Sequence, residues 1–302
     1  EPRKGDLAGC WSRRVNDEIL KRGVRDNTDT FNKPEFATIC NKIQSLRNEL
    51  TKASETPLSH LQRPPPSSSS SLDLLQKEHN EWTQILEPYV SKSDTWLTAP
   101  WMVTEFYVYR RLMECLDYWN TDSPGYQYDP FLVAKFNGLV SSVGSAENVL
   151  GKVRDLPKTT YEGLKFALNL ALWGNKMDLS LWPATNGDPQ DVLSEILDAA
   201  ESNLLADDSN VVAEFCQDIQ HVHIIVDNAG LELVTDLALA QYLIESGTAT
   251  TVTFQVKAHP TFVSDALDYD VRDTIQYYMN CDGTKYPNCV QAGLRWQTFL
   301  KN

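Results

Sequence analysis

Two successive strand-like segments near the end of the chain place the strongest constraint on its fold. Residues 221–226 are rich in branched apolar residues and stop abruptly at Asp227 and Asn228, after which a helical pattern begins. Residues 251–256 repeat the strand-like pattern, and Asp265 follows a short distance beyond them. A strand–helix–strand order requires a parallel pair with a right-handed crossover. The pattern therefore predicts a parallel pair whose first strand is buried.

The acidic groups at the two strand ends predict a site built from oxygen ligands. Ligands of open α/β sheets bind at the carboxyl ends of the strands. Asp227, Asn228 and Asp265 would present two carboxylates and one amide oxygen there, the donors that hard divalent cations prefer. Two carboxylates in one crevice repel each other unless a cation or a proton lies between them. One alternative stays open, in which both aspartates cap the following helices and Asn228 shapes a turn.

Two further segments carry side chains that could reach this crevice. A buried helix is predicted over residues 161–173, and the glycine after it releases the chain, so that Asn175 and Asp178 could bind substrate. Asn175 could instead provide a further oxygen ligand. A helix C-cap followed by a turn is the alternative for that segment. Lys257 ends the second strand and could meet an anion at the rim of the sheet.

A predicted helix over residues 101–119 combines many aromatic side chains with Glu105 and Arg110. An arginine can bind phosphate or carboxylate through two parallel hydrogen bonds, so both residues are candidates for substrate binding. The alternative is a structural pair of arginine and glutamate beside an aromatic core face.

Composition excludes several classes of function. The net charge of −14 repels phosphate backbones, so nucleic acid is not expected as a partner. No run of 18 apolar residues occurs, which predicts no membrane span, and the polar N-terminus shows no signal peptide, so we expect a cytoplasmic protein. The five histidines form no HExxH motif, and neither GxGxxG nor a P-loop is present.

The character of the sequence changes near residue 150. Residues 1–150 predict helices and loops, interrupted by a flexible Pro/Ser tract at 64–71. Residues 151–302 predict the α/β part, including a helix over 191–206 before the first strand. Within the first part, helices are predicted over residues 36–50 and 72–90.

Three blocks then indicate a family. They are residues 172–180 (Leu-Trp-Gly-Asn-Lys-Met-Asp-Leu-Ser), 226–233 (Val-Asp-Asn-Ala-Gly-Leu-Glu-Leu) and 262–265 (Phe-Val-Ser-Asp). In order and spacing they resemble the metal-dependent damage-control phosphatase family, also called the acidic-residue methyltransferase family. The helix over residues 101–112 is similar to the N-terminal signature of that family.

The resemblance implies a Rossmann-like three-layer α/β/α domain with an N-terminal helical region. It implies a divalent cation, Mn²⁺ or Mg²⁺ with Ni²⁺ and Co²⁺ as alternatives, held by Asp227, Asn228 and Asp265 with Asn175 close by. It also implies hydrolysis of small phosphorylated metabolites such as sugar phosphates, in which the metal polarises a phosphoryl oxygen and orients water. No oligomeric state follows from it.

One family feature does not occur in the printed sequence. Members resembling this one continue into a Lys-Gly-Asp-Leu-Asn-Tyr-Arg-Lys segment, which the resemblance assigns to the substrate phosphate. Two alternatives to hydrolysis therefore stay open: a non-hydrolytic metal-dependent step (lyase, cyclase or isomerase) in specialised metabolism, and a non-catalytic relic.

Overall fold

The computed structural model describes residues 26–62, 71–158, 161–175, 204–216 and 219–301, together with residues 15, 20 and 24. The chain divides into two compact units. The first comprises Glu1–Val133 with His259–Val263, and the second comprises Ala134–Ala258 with Ser264–Asn302. Most of the predicted helix over 191–206, and nearly all of the Pro/Ser tract, lie outside the described residues.

The first unit is helical in its described part. Its helices are α1 (Thr28–Phe31), α2 (Ala37–Thr51), α3 (Ser71–Val90) and α4 (Trp101–Leu116). Their apolar faces enclose an aromatic-rich core, in which the rings of Trp96 and Tyr107 stack with centroids 5.0 Å apart. The short segment His259–Val263 joins this core through Phe262, whose ring lies 4.8 Å from that of Phe106. Aromatic packing thus ties a segment distant in sequence to α4.

The helices predicted for this unit are confirmed, and their ends are corrected by one to three residues. The largest difference is at the end of α4, which stops at Leu116 rather than at Trp119. Asp117 adopts a left-handed conformation with φ 52°, and its N–H bonds back to the helix. A left-handed residue directly after a helix ends it.

The second unit holds the sheet and the helices around it. Its elements are α5 (Leu132–Ser141), which begins two residues before the junction, α6 (Val143–Asp155), α7 (Tyr161–Leu172), α8 (Ser209–Phe215), β1 (His221–Ile225), α9 (Leu231–Glu245), β2 (Thr251–Gln255), α10 (Asp268–Met279) and α11 (Pro287–Lys301). Helix α9 is apolar on most faces and almost wholly buried, as expected for a helix packed inside a domain. None of the helices described in either unit is long and apolar enough to cross a membrane.

The two strands form a parallel pair, as predicted, in a register that sets His221 opposite Thr251 and Ile225 opposite Gln255. The predicted burial of β1 is wrong for one of its faces. Val222 and Ile224 pack against the core, whereas His221 and His223 are exposed and Ile225 is 85% exposed. A run of branched apolar residues indicates a strand without showing how many of its faces are covered. The α/β class is confirmed, and the three-layer Rossmann-like arrangement stays a prediction.

Helices α5 and α6 belong to the second unit, although the sequence changes character only near residue 150. Leu139, Val143, Ala146 and Val149 are buried in the same core as Val234 of α9. The contacts of the chain therefore divide it near residue 133. Helical periodicity shows that a helix has an apolar face, but not which core receives it.

A buried ion pair connects α5 to the start of α10. Lys135 Nζ donates to Asp270 Oδ2 at 2.7 Å, and both side chains are at most 6% exposed. Asp270 also accepts the backbone N–H of Leu267 at 2.8 Å and so caps the start of α10. Leu267 is two residues after Asp265. The pair therefore anchors the segment that carries Asp265.

We predict that Lys135→Met destabilises the second unit by about 3 kcal/mol, because it leaves the Asp270 carboxylate buried without its cation. Urea unfolding followed by circular dichroism measures the change. Arg272→Met is the control, because Arg272 forms an exposed pair with Asp268 on the same helix. It should leave the unfolding free energy unchanged. Equal effects of the two substitutions would contradict the anchoring role.

Candidate functional site

The loops that leave β1 and β2 are joined just beyond the strands. Asn228 and Asp265 form an isolated antiparallel bridge. The N–H of Ala229 donates to the carbonyl of Ser264 and the N–H of Ala266 donates to the carbonyl of Asp227, both at 2.7 Å. The predicted proximity of the residues at the two strand ends is thereby confirmed.

Neither Asp227 nor Asp265 caps the helix that follows it, so the alternative interpretation of these two residues as helix caps is wrong. The N-cap of α9 is Gly230, with φ 88° and no side-chain hydrogen bond to the helix end. Helix α10 begins at Asp268, beyond Asp265, and its cap bond comes from Asp270. The carboxylates of Asp227 and Asp265 are thus not used to end helices.

Asp265 is a buried carboxylate paired with a lysine. It is 2% exposed, and Lys257 Nζ donates to its Oδ2 at 2.5 Å. Burial raises the pKa of Asp265, the Lys257 ammonium opposes that rise, and the charge of Asp227 adds to it. The sequence places Lys257 at the end of the second strand, whereas β2 ends two residues earlier, at Gln255, and Lys257 lies in the loop that follows.

Asn228 lies in the loop after β1, beside the loop that carries Asp265. Both the oxygen and the nitrogen of its side-chain amide are hydrogen-bonded. Ser264 Oγ donates to Asn228 Oδ1 at 2.5 Å. On the other side, Asn228 Nδ2 donates to Glu232 Oε2 at 2.8 Å and to Asp227 Oδ2 at 3.2 Å. The amide therefore has a single orientation consistent with its partners.

Two acidic residues of α9 extend the site and were not predicted. Glu232 and Asp236 are four residues apart, on one face of the helix. Burial raises the pKa of Glu232, with Asp227 adding to the rise. Burial raises the pKa of Asp236 to about 7, and the charges of Glu232 and Asp227 contribute. The spacing was visible in the sequence, but acidic residues at helical spacing more often form a solvated face.

The end of α7 brings Asn175 to the site, as predicted. Gly174 approaches α9 so closely that an added Cβ would lie 2.2 Å from Thr235 Oγ1. The side chain of Asn175 is hydrogen-bonded to Glu232. Its role in substrate binding stays a prediction, and Asp178 lies outside the described residues.

Glu105 and Arg110 lie on α4, in the first unit. Both are almost fully buried. Arg110 Nε donates to Glu78 at 2.8 Å, and the guanidinium lies over the ring of Trp119 at 4.2 Å. These are the contacts of a structural arginine, although the partner is Glu78 rather than a residue of the same helix. A role of either residue in substrate binding stays a prediction.

The donors around the bridge suit a hard cation. Asp227, Asp265 and the Asn228 amide are oxygen donors of the kind that Mg²⁺ and Mn²⁺ prefer. Within the described ranges, no three histidine, cysteine, aspartate or glutamate side chains are grouped so that they could hold a metal ion. A set built here would therefore consist of two carboxylates and one amide oxygen.

The chain is an α/β protein that carries acidic and amide oxygen donors at the ends of its parallel strands. Comparison with known proteins identifies its family. Residues 8–301 match the damage-control phosphatase ARMT1-like domain. The chain belongs to that family, which confirms the resemblance seen in the sequence.

The relatives that this chain matches include three vertebrate proteins named damage-control phosphatase ARMT1. The Danio rerio protein is 33% identical over 227 residues, covering 68% of this chain and 49% of the relative. The Macaca fascicularis protein is 31% identical over 244 residues, and the Homo sapiens protein is 30% identical over 246. Each of these two matches covers 73% of this chain and 54% of the relative. The chain thus spans about half the length of the curated relatives it matches.

We predict that Asp236→Asn stabilises the fold at pH 8 and has no such effect near pH 4. The parent carboxyl has a folded pKa of about 7 against an ordinary value of 3.8, so the folded state binds more protons between these pH values. The parent therefore loses stability as pH rises from about 4 to about 7, by at most about 4 kcal/mol, whereas an amide does not titrate.

Urea unfolding of both proteins with EDTA present, at intervals from pH 4 to pH 8, measures this difference. The gap between variant and parent should widen up to about pH 7 and then level off. A gap that is independent of pH would show that Asp236 ionises normally in the folded protein.

Proposed function

We propose that this chain forms the metal-binding part of a divalent-metal-dependent phosphatase that hydrolyses small phosphorylated metabolites, such as sugar phosphates. The observation that carries the proposal is the bridge between Asn228 and Asp265, which gathers oxygen donors from two neighbouring strand ends. Membership of a family whose relatives are named damage-control phosphatases supports the reaction class. The proposed domain is a three-layer Rossmann-like one, as the resemblance implies.

In this proposal Asp227, Asn228 and Asp265 hold the cation. Asp227 is exposed and can turn its carboxylate toward a ligand, whereas Asp265 is buried and held in place. When bound, Mn²⁺ or Mg²⁺ supplies a Lewis acid for a phosphoryl oxygen and an orienting centre for the attacking water. Asn228 contributes a neutral oxygen, so the three proposed ligands carry two negative charges rather than three.

The chain's own residues also provide for the anionic substrate. A phosphate monoester would be repelled by a site composed of carboxylates alone. The Lys257 ammonium lies beside Asp265 and is about one-third exposed, so it can contact a phosphoryl oxygen from the same rim. Asn175 is exposed, is hydrogen-bonded to Glu232, and can donate a hydrogen bond to the metabolite.

We predict that Asp227→Asn and Asp265→Asn each abolish phosphate release. Changes to the outer partners of metal ligands typically reduce affinity or activity 10–100-fold, so loss of a ligand should cost more than about 100-fold. The assay measures phosphate released from a panel of sugar phosphates with Mn²⁺ or Mg²⁺, and calorimetry measures Mn²⁺ binding. Thermal unfolding shows whether each variant folds.

Asp273→Asn is the matched control, because Asp273 is exposed on α10 and contributes nothing to the site. It should keep the parent rate. A site variant that also keeps the parent rate would disprove the ligand assignment. If the parent binds Mn²⁺ but releases no phosphate from any substrate, hydrolysis is excluded in favour of a non-hydrolytic step. If it binds no divalent cation, the metal site is wrong.

A further inference from the structure

Glu232 makes contacts that set it apart from an ordinary acidic residue at the start of a helix. It is the second residue of α9, where a carboxylate usually stabilises the exposed N–H groups. Its side chain instead turns back toward the loop after β1. There it accepts Asn228 Nδ2 at 2.8 Å and is also bonded to the backbone of Asn228 and to the side chain of Asn175.

These contacts decide which end of the Asn228 amide faces the cation donors. An ionised carboxylate only accepts hydrogen bonds, so the amide must turn its NH₂ group toward Glu232. Asp227 Oδ2, at 3.2 Å from the same nitrogen, imposes the same choice. The amide oxygen is thereby directed away from α9, to the side where Ser264 Oγ donates to it. Only the oxygen can serve as a ligand to a hard cation.

We propose that Glu232 is a positioning residue, which locks the Asn228 amide with its oxygen available for the metal and is not itself a ligand. The inference rests on the proposed function, because it assumes that Asn228 binds the cation. Among the described residues no three acidic side chains are grouped so that they could hold a metal ion, which supports the view that Glu232 is not a ligand. Glu232 uses its oxygens on Asn228 and Asn175 instead.

Glu232→Gln tests this role with little change of shape. A glutamine amide can present either its oxygen or its NH₂ group to Asn228, so only the longer contact with Asp227 still selects the orientation of the Asn228 amide. Mn²⁺ affinity measured by calorimetry should fall by about 10–100-fold, the range typical of residues that orient metal ligands. The unfolding free energy measured with EDTA present should change little, which separates positioning from loss of the fold.

Glu162→Gln is the matched control. Glu162 is also in the first turn of a helix in the second unit, α7, and it is exposed. The substitution removes the same charge from the same kind of position and should leave Mn²⁺ affinity unchanged. A decrease equal to that of Glu232→Gln would show that net charge alone explains the effect.

The decisive experiment repeats Glu232→Gln in an Asn228→Asp background. A carboxylate presents oxygen at both ends, so its orientation needs no selection by Glu232. If Glu232 acts through the amide, Glu232→Gln should cost much less affinity in that background than it costs in the parent. A loss as large as in the parent would identify Glu232 as a ligand or a general attractor of cations, and would overturn the inference.

The possible outcomes distinguish failure of the positioning role of Glu232 from failure of the proposed metal-dependent function. A parent that binds no Mn²⁺ overturns both. If the parent binds Mn²⁺ and Glu232→Gln binds it equally tightly, the positioning role is wrong and the proposed function is unaffected. Because the readouts are metal affinity and unfolding free energy, the result does not depend on finding the metabolite that is hydrolysed.

Discussion

The antiparallel bridge between Asn228 and Asp265 is the contact on which the candidate site depends. Parallel strands bring their carboxyl ends to one edge, so the two loops start side by side. Two short backbone hydrogen bonds then hold the loops together against the repulsion between Asp227 and Asp265. A backbone contact is well suited to this task, since it does not change when the side chains bind or release a ligand.

Several acidic side chains lie close together around this bridge, and most of them are partly or fully buried. Desolvation raises the pKa of Asp265, Glu232 and Asp236, the charge of Asp227 raises all three values further, and Glu232 adds to the rise at Asp236. Lys257 and Lys135 offset part of this cost at Asp265. The almost fully buried helix α9 provides a rigid support, so the acids are kept near one another instead of separating. A divalent cation would relieve the same repulsion, which gives a physical reason for such a grouping.

Much of this arrangement could be predicted, because it depends on local pattern. Short runs of strand-forming residues predicted the strand pair, helical periodicity predicted several of the helices, and the strand ends predicted the meeting of Asp227 with Asp265. The location of Glu232 and Asp236 at the candidate site was not predicted, since acidic residues four positions apart are equally typical of a solvated helix face. Arg110 was placed correctly on a helix, but its partner Glu78 is 32 residues away in sequence and gives no local signal.

The sequence by itself determined the kinds of element, their order and the oxygen donors at the strand ends, because each depends on residues close together in the chain. Tertiary structure alone decided that α5 and α6 join the second core, that one face of β1 is exposed, and that Lys257 pairs with Asp265. It also decided the orientation of the Asn228 amide. These features depend on which distant surfaces meet, and burial and electrostatic pairing exist only once they have met.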